Sequence, residues 1–327
     1  MSAMATSRIV LAAAGVAMTA VVLAQTPQPQ PEIFLASPSP DGIRLAVGAP
    51  VNISQNADYD NQPAFLPDGS GILFSSKRDG TQNDIFRYDL KSRQVTQVTK
   101  TPESEYSPLV TPDKKTFSVI RVEADKTQRL WRFNLDGSNP QLVLDKVKPV
   151  GYHAWIDATH LALFILGDAT SANTLQLADT TTGEASVIES SIGRSLLVRP
   201  GRGTVSFVHK PQGGAWIVKE LDPKTRATSV LVPTPERSED CAWLPDGRLV
   251  MAQGTKLLTW RAGDEKWTEG ADLSAAGLTQ ITRLAVSPDG RWMALVAIER
   301  AREALSDGDT ARATGVNVSW LFWPLPA

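Results

Sequence analysis

The chain of 327 residues is 42% hydrophobic and 21% charged, which excludes a disordered polymer and supplies a large core. Its net charge of -2, with Lys and Arg interspersed among Asp and Glu, lacks the electrostatic footprint of a nucleic-acid partner. The single cysteine, Cys241, excludes internal disulfides and cysteine-rich zinc sites, so apolar burial must hold the fold unaided.

In chain order, the first predicted element is a secretory signal over residues 1–24. Arg8 is its positive start, Ile9 to Leu23 its apolar body, and Val22 and Ala24 fit the cleavage rule. The alternative is an uncleaved anchor, but the apolar run falls short of the roughly 20 residues needed to span a bilayer. No cysteine follows closely, so cleavage leaves no lipid-attachment site. The expected mature chain starts near Gln25, has no integral membrane span, and is periplasmic or secreted. Residues 25–31, rich in Gln and Pro, read as a linker.

From Glu32 to Ile298 one pattern recurs. Pro63 to Gly69 leads into Ile72, Leu73 and Phe74; counterparts run Pro108 to Asp113, Cys241 to Gly247 and Leu284 to Gly290, with degenerate copies at Ala154 to Asp157 and Leu197 to Gly201. The landmark positions Asp68, Asp113, Asp157, Gly201, Asp246 and Asp289 are separated by steps of 45, 44, 44, 45 and 43. Pro-Asp-Gly is a turn signal, because proline presets φ and glycine accepts positive φ, and it lies between short apolar runs. A second strand pair follows each hairpin, as in Asp84 to Asp89 and then Gln94 to Thr99. Four strands in each unit of this length predict an all-β, six-bladed β-propeller with four-stranded blades.

The ends of the repeat supply a check. The last copy, Ile281 to Ile298, holds only two strands, and Glu32 to Leu35 match the third-strand sequence Asp84 to Arg87. N-terminal strands are therefore expected to complete the last blade and close the ring, with Ile43 to Ile53 providing the outer strand and Ser39 to Gly42 a turn. Residues 32–298 form the propeller and 299–327 a C-terminal extension. Within the extension, Glu299 to Leu305 suit a short helix, and Trp320 to Leu325 form an apolar end that either packs on the propeller or docks elsewhere. Trp131, Trp155, Trp216, Trp243, Trp260 and Trp292 recur near blade strands and read as filler between blades.

The run from Asp60 to Gly69, followed by Ile72 to Gly80 and Asp84 to Tyr88, resembles the TolB-type, WD-like propeller repeats of bacterial envelope proteins. That resemblance implies the fold directly. Function follows from it only broadly, since the family spans periplasmic partner-binding proteins, secreted proteins and the propeller halves of peptidases. TolB itself carries an extra N-terminal domain, for which the stretch from Gln25 to Glu32 leaves no room. The 29 residues beyond Ile298 are likewise too few for a peptidase's hydrolase domain.

In a propeller, the segments entering the inner strands lie around the channel. They supply Asn61 and Gln62, Glu105 and Tyr106, Tyr152 and His153, Arg194 and Ser195, Glu239 and Asp240, and Thr282 and Arg283. Loops after the second strands add Lys77, Arg78, Asp79, Arg121, Glu123, Asp168, His209 and Lys210. Entry loops are polar in any propeller, so many of these side chains serve only to satisfy strand ends. The candidate ligand-binding set is Asn61, Glu105, Tyr152, His153, Arg194 and Asp240. It suits an envelope protein or a small polar ligand held without catalysis or cofactor. The alternative is a lactonase-type hydrolase, with calcium on Asn61, Glu105 and Asp240 and with His153 as base. Gly193 to Leu197 lacks the closing glycine of a nucleophile elbow.

Overall fold

A computed structural model describes residues 30–40, 44–78 and 81–300. The expected signal segment, most of the linker and nearly all of the C-terminal extension lie outside these residues. Six four-stranded antiparallel sheets form the ring, each with its strands in radial order. Blade 1 comprises Asp60–Phe65, Gly71–Ser76, Asp84–Asp89 and Val95–Gln97, and the inner strands of blades 2 to 5 are Ser104–Val110, Val150–Trp155, Ile192–Val198 and Cys241–Trp243.

Blade 6 is assembled from both ends of the repeat. Leu278–Val286 and Met293–Glu299 give its inner strands, Glu32–Ala36 pairs from Glu32 opposite Ala297 to Ala36 opposite Met293, and Val51–Asn52 is outermost. The expected closure is therefore present, with one correction inside it. Only the end of the Ile43 to Ile53 stretch is the outer strand. Leu45–Val47 instead pairs with Pro38–Pro40 in a separate hairpin, because Leu45 is fully buried against blades 5 and 6 and cannot also lie on the blade 6 edge. The hairpin reaches blade 5 at Gly270, where an added Cβ would stand 2.8 Å from the Leu45 carbonyl oxygen.

The repeat signal has a local cause. At five of the six landmark turns the aspartate accepts a hydrogen bond from the backbone N–H two residues on: Ser70 to Asp68, Lys115 to Asp113, Thr159 to Asp157, Arg248 to Asp246 and Arg291 to Asp289. These Asx turns mimic a backbone turn and fix the hairpin. In the remaining one Gly201 takes a φ of +72°, which an L-residue would reach only with strain.

Six apolar clusters hold the ring together, one between each pair of neighbouring blades. Between blades 1 and 2, for example, Leu73, Ile85, Phe117 and Phe133 are buried, with the two phenylalanine rings stacked at 5.5 Å. Each such side chain contributes about 1.5–3 kcal/mol on burial. The tryptophans pack against these clusters as expected. Two of them also cross a blade boundary: Trp155 and Trp243 donate through Nε1 to Ser118 and Ser206 of the preceding blade, at 2.8 and 2.9 Å. Among the described residues no helix is long and apolar enough to cross a membrane.

Candidate functional site

The inner strands are not regular. In blades 1, 2, 3, 4 and 6 the pairing of the first strand with the second slips, at Asn61 to Ala64, Tyr106 to Leu109, Val150 to Tyr152, Ile192 to Leu196 and Ile281 to Arg283. Such bulges re-aim side chains, and Gln62 and Ser107 take φ of 58° and 52° within them. Residues in and just past these slips, with Asp240 and Cys241 of blade 5, line a cavity of about 110 Å³. Its polar wall is Gln62, Ser107, Tyr152, His153, Arg194, Ser195, Asp240, Cys241 and Arg283.

Two arginines share one carboxylate there. Asp240 Oδ2 lies 3.5 Å from Arg194 Nε and 3.5 Å from Arg283 Nη1, while its Oδ1 accepts from the Leu284 N–H at 3.2 Å. Arg283 donates to Tyr152 Oη at 2.8 Å and lies over that ring at 5.0 Å, so one hydrogen bond spans the channel between opposite blades. Arg194 donates through Nη2 to the Thr282 carbonyl at 2.9 Å. Glu239 accepts from the Arg194 backbone N–H at 2.8 Å and pairs with Lys210 at 3.4 Å. Burial opposes ionisation of Glu239, but Arg194 and Lys210 outweigh it and hold its pKa below the usual value. For Asp240 burial prevails over Arg283 and Arg194, and its pKa is raised. Burial likewise raises the pKa of Tyr59, whose hydroxyl is close enough to Arg283 and Arg194 to feel their charge.

Tyr152, His153, Arg194 and Asp240 of the candidate set thus line one cavity. Asn61 and Glu105 do not. Asn61 Oδ1 caps the Gln62 N–H at 2.8 Å. Glu105 is fully buried near the outer strand of blade 1, accepting from Thr99 Oγ1 at 2.9 Å, from the Thr101 hydroxyl and from Arg121 Nε at 3.2 Å. Burial pushes the Glu105 carboxyl up to about 7, against those donors.

The oxygen set considered for calcium therefore does not converge. Among the described residues no three His, Cys, Asp or Glu side chains stand together to hold a metal. Of the loop residues, Arg78 and Arg121 turn onto aromatic rings of their own blades rather than into the cavity, and Asp79 lies outside the described residues.

The cavity's other titratable groups are quiet. His153 sits 2.6 Å through Nε2 from Ser118 Oγ, and burial lowers its pKa to about 3, so the ring is neutral. Cys241, 3.2 Å from Ser195 Oγ, has its thiol pushed by burial up to about 12. A neutral imidazole and a protonated thiol are poor partners for nucleophilic chemistry. The arginines, by contrast, are permanent donors.

Neither a protein-family model nor any curated protein sequence matches this chain. Solved structures do. A putative TolB from Agrobacterium tumefaciens superposes with a TM-score of 0.64 at 13% identity, covering 82% of this chain and 98% of that one. This chain has a TolB-like propeller fold. TolB from Acinetobacter baumannii gives a TM-score of 0.53 at 16% identity, with 84% of this chain covering 65% of that chain. An oligogalacturonate lyase in complex with manganese gives 0.51 at 13% identity, covering 77% and 80% of the two chains. At such identities the likeness is one of fold, and a TolB-like ring serves binding proteins and enzymes alike.

Ser107 escaped the sequence reading as a site residue. Ser107 carries one available signal: it precedes Pro108 as Gln62 precedes Pro63, at the same distance from the landmark aspartate.

Proposed function

We propose that this chain is an exported, non-enzymatic binding module of the bacterial cell envelope that takes a polar ligand or a partner's peptide in its central channel. One observation carries the reading. Three residues of the cavity wall each carry a buried polar atom with no hydrogen-bond partner within the protein: Ser107 Oγ, His153 Nδ1 and Arg194 Nε. Leaving a buried polar group unpaired costs about 1–3 kcal/mol, so their convergence on one cavity favours a group that binds there. The unreactive states of His153 and Cys241 favour binding over turnover. The resemblance to TolB-type repeats and the expected signal segment support an envelope location.

The test immobilises residues 25–327 and presents solubilised envelope proteins and an envelope small-molecule extract in chelator buffer. Ala64→Trp, which fills the cavity wall from blade 1, is the control. The expected outcome is a retained species that Ala64→Trp loses. Equal retention by both proteins, or retention that needs calcium and accompanies ester hydrolysis, overturns the reading.

A further inference from the structure

The cavity wall carries unbalanced charge. Its ionic side chains are Arg194 and Arg283 against Asp240 alone, since His153 is neutral. Glu239 and Lys210, just outside, cancel each other at 3.4 Å. The excess is one positive charge. Both contacts to Asp240 are 3.5 Å, beyond a good charge-assisted hydrogen bond, and Arg194 Nε donates to nothing in the protein. The guanidinium edges are therefore under-used.

Along the strands the wall changes character. Further along the inner strands it includes Pro63, Ala64, Pro108, Leu109, Leu197 and Leu284, beside Tyr152, His153 and Cys241. The cavity thus carries an apolar patch of prolines and leucines beside its cationic groups.

Building on the binding reading above, we propose that the channel takes a monoanionic carboxylate with a short apolar body, its head on Arg194 and Arg283 and its body against the proline and leucine wall. A planar carboxylate matches the fork of a guanidinium, and a single charge neutralises the excess without overshooting. The limited volume calls for a small head group and a short chain. Asp240 acts as the internal placeholder: it holds the two arginines in position and competes with the ligand for their donors. A free short-chain acid and the C-terminus of a peptide ending in a small apolar residue share this chemistry.

Calorimetric titration separates these sources and tests the assignment. The probes are sodium butanoate, butanamide, butyl phosphate, and an acetylated Ala-Val dipeptide with either a free or an amidated C-terminus. The carboxylates are expected to bind at least about tenfold more tightly than their amides, and Arg194→Gln to weaken them by a similar factor. Asp240→Asn is the decisive variant. It keeps an oxygen to accept the Leu284 N–H, removes the competing charge, and is expected to tighten carboxylate binding about tenfold while leaving the amides unchanged. A purely structural aspartate would give no gain.

Binding by butanoate or by the free dipeptide alone identifies the source. Equal binding of acid and amide, tighter binding of the phosphate, or no tightening in Asp240→Asn overturns the carboxylate assignment while leaving the channel a binding site. If none of the probes binds at millimolar concentration the assignment also falls. The binding reading falls with it only if Ala64→Trp captures what the natural chain captures.

Discussion

Blades 1 and 2 put their charge behind the inner strand, whereas blades 4 to 6 put it on the axis. Asp60 and Glu105 occupy equivalent register in blades 1 and 2, opposite Ser76 and Arg121, and both are fully buried. Each has an arginine laid on aromatic rings: Arg78 is 5.2 Å from the Phe86 centroid, and Arg121 is 4.4 Å from that of Trp131. In blades 4 to 6 the charges of Arg194, Asp240 and Arg283 face the cavity instead. Acids only a few positions apart in the repeat are thus structural in one half of the ring and available to a ligand in the other. Position along the inner strand separates them: Asp60 and Glu105 lie eight residues before their landmark aspartates, Asp240 six before its own.

Mutations can break this contrast. The largest expected effect is Glu105→Ala, which strands the buried Arg121 guanidinium and should cost about 3–5 kcal/mol in denaturant unfolding without touching the cavity. Glu105→Gln, which keeps acceptor and shape, should cost much less. Trp155→Phe, removing the 2.8 Å bond to Ser118, should cost about 1 kcal/mol and serves as an interblade reference. Arg194→Gln, at a side chain 30% exposed, should cost less stability than Glu105→Ala while weakening channel binding about tenfold. A large stability loss in Arg194→Gln would erase the distinction between the two halves.

The pH dependence sharpens the contrast further. Burial raises Glu105 to about 7 and Asp60 to about 6, so the folded chain holds these protons more tightly than the unfolded chain does. Their contribution is largest below the ordinary carboxylate range and is lost as pH rises through the raised values. Landmark aspartates such as Asp157 and Asp289, lowered to about 2, contribute in the opposite sense and lose their share as pH falls below the ordinary range. Thermal midpoints measured across pH should therefore peak in the mildly acidic range and decline toward neutrality. In Glu105→Gln the decline should flatten, whereas in Arg194→Gln it should persist.

Much of the fold was legible in the sequence because its determinants are local. The landmark aspartates and glycines fix hairpins within a few residues, and the match of Glu32 to Leu35 with Asp84 to Arg87 reveals the closing strand. The site was legible only to the level of a segment. Tyr152, Arg194 and Asp240 reach the cavity and Glu105 does not, although all four entered by the same positional argument. Glu105 stands eight residues before its landmark, against five, seven and six for Tyr152, Arg194 and Asp240, and in blades 3 and 4 register slips re-aim the side chains further. Leu45 escaped for a related reason. A buried leucine in a short apolar run fits an outer strand or a separate hairpin equally well until its neighbours are known.

The closure of blade 6 also sets how the ring responds to tension. Glu32 sits beside Ala297 in an antiparallel pair, so the flanking segments leave from the same end of the two strands. A pull on them peels the hydrogen bonds one after another instead of loading all of them in shear. In a force-clamp experiment this seam should open first and at low load, leaving the interblade clusters of blades 1 to 5 intact. The ring has a built-in zip fastener, and its slider is where the two ends of the repeat meet.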